Sequence, residues 1–337
     1  MAIQLKASII VPAYKAEKTI QKCLDSLLSQ SLKKEEYEII VVDDGSFDNT
    51  QKIIEENYQG KVLYIKQENQ GPAAARNKGV EFAKSSIIVF TDSDCELETK
   101  WLEEMISPFE DNQIGGVQGI YRTKQKKIVA QFVQYEIESR YRKMSSKKYI
   151  DFLGTYSSAF RRNIFLENKG FDRNYLIASG EDADFSYRLE KKGIKFLFNQ
   201  KAICYHLHPE SLFKYFKVKF YRGFWRVPLY KNHKDKILND SYTPFSLKFQ
   251  ISLILFFPFF LILIFYNFKN YFLFKYFFIL IYIIIFFSMM LPLIIFISKK
   301  NLKLGFLSIF IILGRDLAMV FGLIFGFFKL FIYKIHK

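Results

Sequence analysis

The sequence predicts an α/β fold on a parallel sheet, followed by a basic, aromatic belt and a set of long apolar helices. Three observations carry this. Between residues 7 and 91, short β-branched runs alternate four times with stretches of helical periodicity, the pattern of a parallel sheet covered by helices on both faces. Two of those runs finish on closely spaced aspartates, Asp43 with Asp44 and Asp92 with Asp94. Charge is divided unevenly. Residues 1–210 hold 31 Lys/Arg against 30 Asp/Glu, whereas residues 211–337 hold 18 against 3 and supply 15 of the 16 net positive charges.

The elements follow in order. "ASIIVPAY" (7–14) is short, contains Pro12 and lacks a small-residue cleavage site, so it reads as a first strand and not a signal peptide. "KTIQKCLDSLLSQ" (18–30) spaces Ile20, Leu24, Leu27 and Leu28 as one helix face. "YEIIVVDDGS" (37–46), "NTQKIIEENY" (49–58) and "KVLYIKQ" (61–67) give strand, helix and strand. "GPAAARNKGVEFAK" (71–84) opens on Gly-Pro and continues in alanines, a helix start, and "SIIVFTDSD" (86–94) is the fourth strand. Ligands of such sheets bind beyond the carboxyl ends of the strands, where both aspartate pairs fall. "WLEEMISPFE" (101–110) is a further helix, and residues 112–178 show no clear period. In "SGEDADFSYRLEKKG" (179–193), Gly180 precedes a helix with Glu181, Asp182 and Asp184 in its first turn, acids that also suit the helix dipole. A strand with His206 and His208 near its end follows.

From Leu212 to Lys236, eight basic residues and one acid interleave with Phe, Tyr and Trp, as in short helices lying in a membrane interface. Phe245–Tyr266 and Tyr271–Ile297 are each long enough to cross about 30 Å of hydrocarbon. Leu304–Tyr333 is interrupted by Gly314-Arg315-Asp316, a costly pair in lipid that faces other helices or splits the segment into a hairpin. The expected domains are therefore a catalytic part over 1–210, interfacial helices over 211–243 and a membrane part over 244–337 with two to four helices. Cations flanking apolar runs indicate anionic lipid as the partner and not nucleic acid. Lys299, Lys300 and Lys303 follow the second span and the basic belt precedes the first, which places both on the cytoplasmic side. Cys23, Cys95 and Cys204 are scattered, odd in number and outside any metal-ligand spacing, consistent with reduced thiols in a cytosolic N-terminal part.

Two carboxylates one residue apart at a buried strand end repel each other and lose hydration, so something positive must sit beside them. Their hard oxygens suit Mg²⁺ or Mn²⁺, which in turn bind diphosphate oxygens. The stretches "SIIVPAYKAEKTIQKCLDSLLSQ", "EIIVVDDGSFDNT", "NQGPAAARNKGVEFA", "IIVFTDSDC" and "GEDADFSYRL" stand in order over residues 7 to 230 and resemble the family-2 glycosyltransferases of the GT-A fold. The resemblance implies a nucleotide-sugar donor, with a UDP-sugar favoured, a divalent cation, and a lipid-linked or glycan acceptor.

It also implies roles by position. Pro12, Ala13 and Tyr14 would line the nucleotide pocket. Asp44, with Asp43 beside it, would meet the base, unless the pair only shapes a turn or caps a helix. Arg76 would approach the nucleotide, or else lie on a helix surface. Asp92 and Asp94 would hold cation and diphosphate or ribose, with Asp94 the direct ligand. Asp182, with Glu181 next to it, would be the catalytic base, and His206 or His208 would complete the metal site. "GTYSSAFRRN" (154–163) departs from the family pattern where sugar or acceptor is met. The "QxxRW" of processive synthases is replaced by "KFYRGFW" (219–225), which favours transfer of one sugar at a time. A homo-oligomer is compatible with these features.

Overall fold

A computed structural model of the chain describes residues 5–175, 179–267 and 271–335. Their contacts divide the chain into two compact units, Met1–Gln125 with Met144–His208, and Lys126–Lys143 with Pro209–Lys337.

The first unit is an eight-stranded sheet with helices. In chain order it contains β1 (Ala7–Ala13), α1 (Ile20–Leu28), β2 (Tyr37–Asp43), α2 (Thr50–Tyr58), β3 (Leu63–Lys66), α3 (Pro72–Phe82), β4 (Ile87–Thr91), β5 (Cys95–Leu97), α4 (Trp101–Ile106), β6 (Ile114–Arg122), β7 (Ser157–Arg161), α6 (Arg162–Glu167), α7 (Glu181–Glu190) and β8 (Lys195–His206), with α5 (Ile128–Ser145) inserted between β6 and β7. The spatial order is β3-β2-β1-β4-β7-β6-β8-β5. The four strands read from the sequence form the parallel half, β3-β2-β1-β4. Beyond β4 the sheet is mixed and not parallel: β7 runs antiparallel to both β4 and β6, β8 is parallel to β6, and β5 is antiparallel to β8. Of this half, β6 and β7 come from the region without clear period, because their pairing partners lie far off in the chain, whereas β8 is the strand read ahead of His206 and His208.

Burial explains the β-branched runs. Ile9, Ile10, Val11, Ile40, Val41, Val42, Val89 and Phe90 are wholly buried, as strands covered on both faces require. On one face Phe90, Phe165, Phe171 and Phe185 interlock, with Phe165 and Phe185 centroids 4.8 Å apart and Phe90 and Phe171 5.4 Å apart. Helix α3 approaches β1 closely because Gly79 faces Ile10; a Cβ there would lie 2.4 Å from its Cγ2. That approach carries Arg76, one turn earlier, into the interior.

The second unit contains α5 and four further helices: α8 (Leu212–Asn232), α9 (Phe245–Asn267), α10 (Phe272–Ser298) and α11 (Leu302–Ile335). Three helices are long and apolar enough to cross a membrane, over Phe245–Tyr266, Phe272–Ser298 and Leu302–Lys329. Most of the basic, aromatic belt, Leu212–Asn232, is one 21-residue helix running through Pro228, and a short 3-10 helix over Lys234–Lys236 follows it. Helix α11 likewise continues unbroken through Gly314-Arg315-Asp316, so the segment is not split into a hairpin. The third apolar helix, α11, is more buried than the other two, because α8 lies along it. Glycines permit that contact: a Cβ on Gly322 would lie 2.0 Å from the Phe220 carbonyl, and one on Gly223 would lie 2.2 Å from that of Met319.

Arg315 and Asp316 belong to a buried network centred on Glu136 of α5. Lys219 Nζ donates to Glu136 Oε2 at 2.6 Å and Tyr215 Oη at 3.1 Å, while Arg140 and Arg315 donate to Oε1 at 3.0 and 3.2 Å. Arg315 also reaches Asp316 Oδ1 and the Gln250 side-chain oxygen, both at 2.8 Å. Burial alone would raise the Glu136 carboxyl, but Lys219, Arg140 and Arg315 hold it well below its ordinary range. Four helices are thus joined through one carboxylate. Glu136→Gln removes the carboxylate shared by the buried Lys219, Arg140 and Arg315, and is expected to lower stability by about 3–5 kcal/mol. Chemical denaturation in detergent checks this; an unchanged midpoint would show that the network is neutral to folding.

Candidate active site

The site forms where the carboxyl ends of β1, β2, β4, β6 and β8 meet the start of β7 in the first unit. Parallel pairing aligns Ala13 with Asp43, and antiparallel pairing sets Thr91 opposite Ser157. At the start of β5, Cys95 lies opposite His206 of β8, which brings Asp94 to that histidine.

At the first strand end, Pro12 and Ala13 complete β1 and Tyr14 is 45% exposed. Lys15 has φ 52°, a left-handed backbone that costs a non-glycine residue roughly 1–2 kcal/mol, and its N–H donates to Ser46 Oγ at 2.9 Å. Its ammonium lies 3.9 Å from the centre of the exposed Phe47 ring, which meets Tyr14 edge-on. Lys15 and Phe47 were not singled out by sequence; a charged and an apolar residue in a loop carry no period that would mark them.

Asp43 and Asp44 are both buried and organise loops. Asp43 accepts from Ser46 N–H at 2.8 Å and Tyr64 Oη at 2.7 Å. Asp44 accepts from Gln67 Nε2 at 2.7 Å and from the N–H groups of Gln70 and Gly71 at 2.9 and 2.8 Å. Three donors occupy most of the capacity of one carboxylate. Asp44 thereby clamps the loop that leads into α3.

Arg76 is 2% exposed, which removes the reading of it as a surface residue. Its Nη2 donates to Asp92 Oδ1 at 2.7 Å and its Nη1 to Glu181 Oε1 at 3.1 Å. One guanidinium therefore joins the end of β4 to the start of α7, across 16 and 105 residues of chain. The positive charge beside Asp92 belongs to the protein itself. The Tyr121 hydroxyl lies 3.5 Å from Asp92 Oδ2, and its ring stacks on Tyr156 at 3.5 Å and on His206 at 4.5 Å. Tyr121 was also missed, since it ends a strand that the sequence does not announce.

Asp94 Oδ2 is 3.1 Å from His206 Nε2, and His206 Nδ1 is 3.3 Å from His208 Nδ1. Burial opposes ionisation of Asp94, yet His206 holds it below the ordinary carboxylate range. His206 lies within 3.1 Å of the aspartate, and His208 lies against His206. Among the described residues no three His, Cys, Asp or Glu are grouped to hold a metal unaided. The Asp94 carboxylate still fits Mg²⁺ or Mn²⁺, hard ions commonly held through one or two carboxylates with phosphate and water completing their shell, and His206 stands beside it.

Glu181 and Asp182 begin α7, after Gly180 at φ 130°, a conformation open to glycine. Glu181 is buried; its Oε2 accepts from Ser179 N–H at 2.9 Å. Asp182 is half-buried, and Ala183 N–H donates to its Oδ1 at 2.7 Å. Burial, and then the charge of Asp182, push the Glu181 carboxyl up to about 7 despite Arg76. Below the unfolded value of 4.5 both states are protonated. Between 4.5 and about 7 the unfolded chain ionises first, so this group lowers stability as pH rises, by about 3 kcal/mol at most, and the penalty is constant above that window. The difference in melting temperature between Glu181→Gln and the wild type should therefore shift in favour of the variant from pH 5 to pH 7. A difference independent of pH would place the carboxyl at its ordinary value.

Residues 8–168 match the family described as Glycosyl transferase family 2. Glycosyltransferase AglE of Haloferax volcanii is 31% identical over 223 residues, covering 63% of this chain and 71% of AglE. Glycosyltransferase GlyA of Streptococcus pneumoniae is 37% identical over 123 residues, but these make up 36% of this chain and 17% of GlyA, so the chain spans less than a fifth of that relative. Among solved structures, a mannosyltransferase from Pyrobaculum calidifontis in complex with GDP-Man and Mn²⁺ superposes with a TM-score of 0.56 at 20% identity, covering 69% of this chain and 65% of that one. That likeness is one of fold.

Proposed function

Because the chain belongs to glycosyltransferase family 2, we propose that it moves one sugar at a time from a nucleoside-diphosphate sugar to a lipid-linked or cell-surface glycan acceptor, with inversion at the sugar carbon. The observation that supports this most is the buried Arg76, which joins Asp92 at the end of β4 to Glu181 at the start of α7. In this reading it ties a donor side, with Asp92 and Asp94, to an acceptor side, with Asp182.

On the donor side, Tyr14 and Phe47 offer exposed rings to a nucleotide base beside the loops that Asp43 and Asp44 hold, and Lys15 supplies charge for the diphosphate. Asp94 and His206 would hold Mg²⁺ or Mn²⁺, which when bound neutralises the leaving diphosphate. On the acceptor side, Asp182 takes the proton of the acceptor hydroxyl as its oxygen attacks the sugar carbon. Arg76 fixes Glu181, and with it the start of α7, against Asp92.

The three long apolar helices, the basic α8 and the lysines after the second span support a multi-pass membrane protein whose catalytic part, residues 1–210, lies on the cytoplasmic side. Such a tether keeps the enzyme on the leaflet that carries a lipid-linked acceptor. The test is transfer of radiolabel from UDP-, GDP- and dTDP-sugars to a lipid extract by the detergent-solubilised chain. Label entering the lipid-extractable fraction from one donor is expected; label released only as free sugar from every donor would contradict the acceptor class.

A further inference from the structure

We infer that α11 does not cross the membrane: together with α8 it lies flat in the headgroup boundary of one leaflet, and the chain crosses through the α9–α10 hairpin alone. The inference rests on the membrane reading above. Length and apolarity would let α11 span, but its neighbours fix its depth. Arg315 stands near the middle of the apolar stretch Leu302–Lys329, and its Nη1 donates to Glu136 of α5 at 3.2 Å. Helix α5 is polar, with Gln134, Glu138, Arg142 and Lys143 beside Glu136 and Arg140. A crossing α11 would carry Arg315 to the bilayer centre and draw this helix in with it, where every charge is costly.

Helix α8 fixes the same depth over a longer contact. A Cβ on Gly314 would lie 2.4 Å from the Phe216 ring, and one on Gly326 would lie 2.5 Å from the Phe224 carbonyl oxygen. The two helices therefore run side by side in the same direction from 314 to 326, about 18 Å at 1.5 Å per residue. Lys219, Arg222 and Arg226 stand on α8 along this contact, so α8 does not lie in hydrocarbon, and α11 shares its level. The outward faces differ. Away from α8, α11 exposes Phe306, Phe310, Leu317, Phe321, Phe325 and Phe328 at helical spacing. Away from α11, α8 exposes Lys214, Lys217 and Tyr221. One face of the pair is apolar and the other cationic, which fits a layer with phenylalanines among acyl chains and lysines at anionic phosphates. The hairpin contrasts with this. Phe256, Phe259 and Ile262 of α9 and Leu273, Phe277 and Leu280 of α10 are each more than half exposed, as in two spans that meet lipid on most sides.

The test reads the side of the membrane on which chosen positions lie. Tyr271→Cys, Lys303→Cys and Lys337→Cys are made one at a time in the full chain, whose own Cys23, Cys95 and Cys204 are buried. Sealed membrane vesicles of one orientation are then treated with a membrane-impermeant maleimide. Lys303→Cys and Lys337→Cys are expected to label from one side and Tyr271→Cys from the other. Labelling of Lys303→Cys and Lys337→Cys from opposite sides would make α11 a span and overturn the inference. Labelling of Tyr271→Cys and Lys303→Cys from the same side would overturn it because α10 does not cross and the membrane reading itself had failed. Spin labels at Phe306→Cys, Leu317→Cys and Phe325→Cys report depth. One shallow depth for all three is expected, and a depth that peaks at position 317 would contradict a flat helix.

Discussion

Asp94→Asn should reduce release of nucleoside diphosphate by roughly 10²- to 10³-fold, the scale on which a single electrostatic contact to developing charge acts. The substitution keeps the shape of the side chain and removes the charge that faces His206. Asp94 is 37% exposed and its partner is a histidine, so the fold loses little and the melting temperature should stay near that of the wild type. Asp92→Asn offers the contrast. It leaves Arg76 buried with Glu181 as its remaining carboxylate among those described here, and should lower both activity and melting temperature. The two neighbours therefore separate a ligand from a carboxylate that also supports the fold. Equal losses of stability in both variants would contradict this division.

Asp182→Asn should lower kcat by roughly 10²- to 10⁴-fold, the contribution of a positioned general base. Donor affinity should be unchanged, because Asp182 lies on the acceptor side and its described contact is with Ala183 of its own helix. Glu181→Gln should behave differently, since Glu181 touches Arg76 and through it the donor side. Near-wild-type turnover in Asp182→Asn would point to an acceptor that needs no base, such as a lipid phosphate, and would remove the hydroxyl acceptor from the account.

The legible and illegible parts of the molecule differ in the range of the interactions that define them. Strands β1 to β4 and the helices between them carry local periods, and parallel pairing then places Asp43 and Asp92 at one edge. Strand β5 has three residues and exists through its pairing with β8, over a hundred positions away, so no local pattern reveals it. Arg76 stands in an alanine-rich helix, and the sequence leaves it between a nucleotide contact and a helix surface. Two distant carboxylates bury it, and only the fold brings them together. Asp43 and Asp44 are recognisable as a motif, and a turn-shaping role is one of the alternatives the sequence offers; the partners that build the loops, Ser46, Tyr64, Gln67, Gln70 and Gly71, are what spacing does not express.

The membrane part follows the same rule. Length and apolarity announce α9, α10 and α11, whereas Arg315 and Asp316 look like an interruption until Glu136 is placed beside them. Helix α5 enters the second unit from the middle of the catalytic sequence, and its assignment depends on that buried carboxylate. Glycines 223 and 322 mark where α8 and α11 touch backbone to backbone.

The most direct measurement of the central claim is release of nucleoside diphosphate from UDP-, GDP- and dTDP-sugars by the solubilised chain, with and without Mn²⁺, in the wild type and in Asp94→Asn. The account predicts metal-dependent release from one donor that Asp94→Asn abolishes. Release that is indifferent to Mn²⁺ and to Asp94→Asn would contradict it.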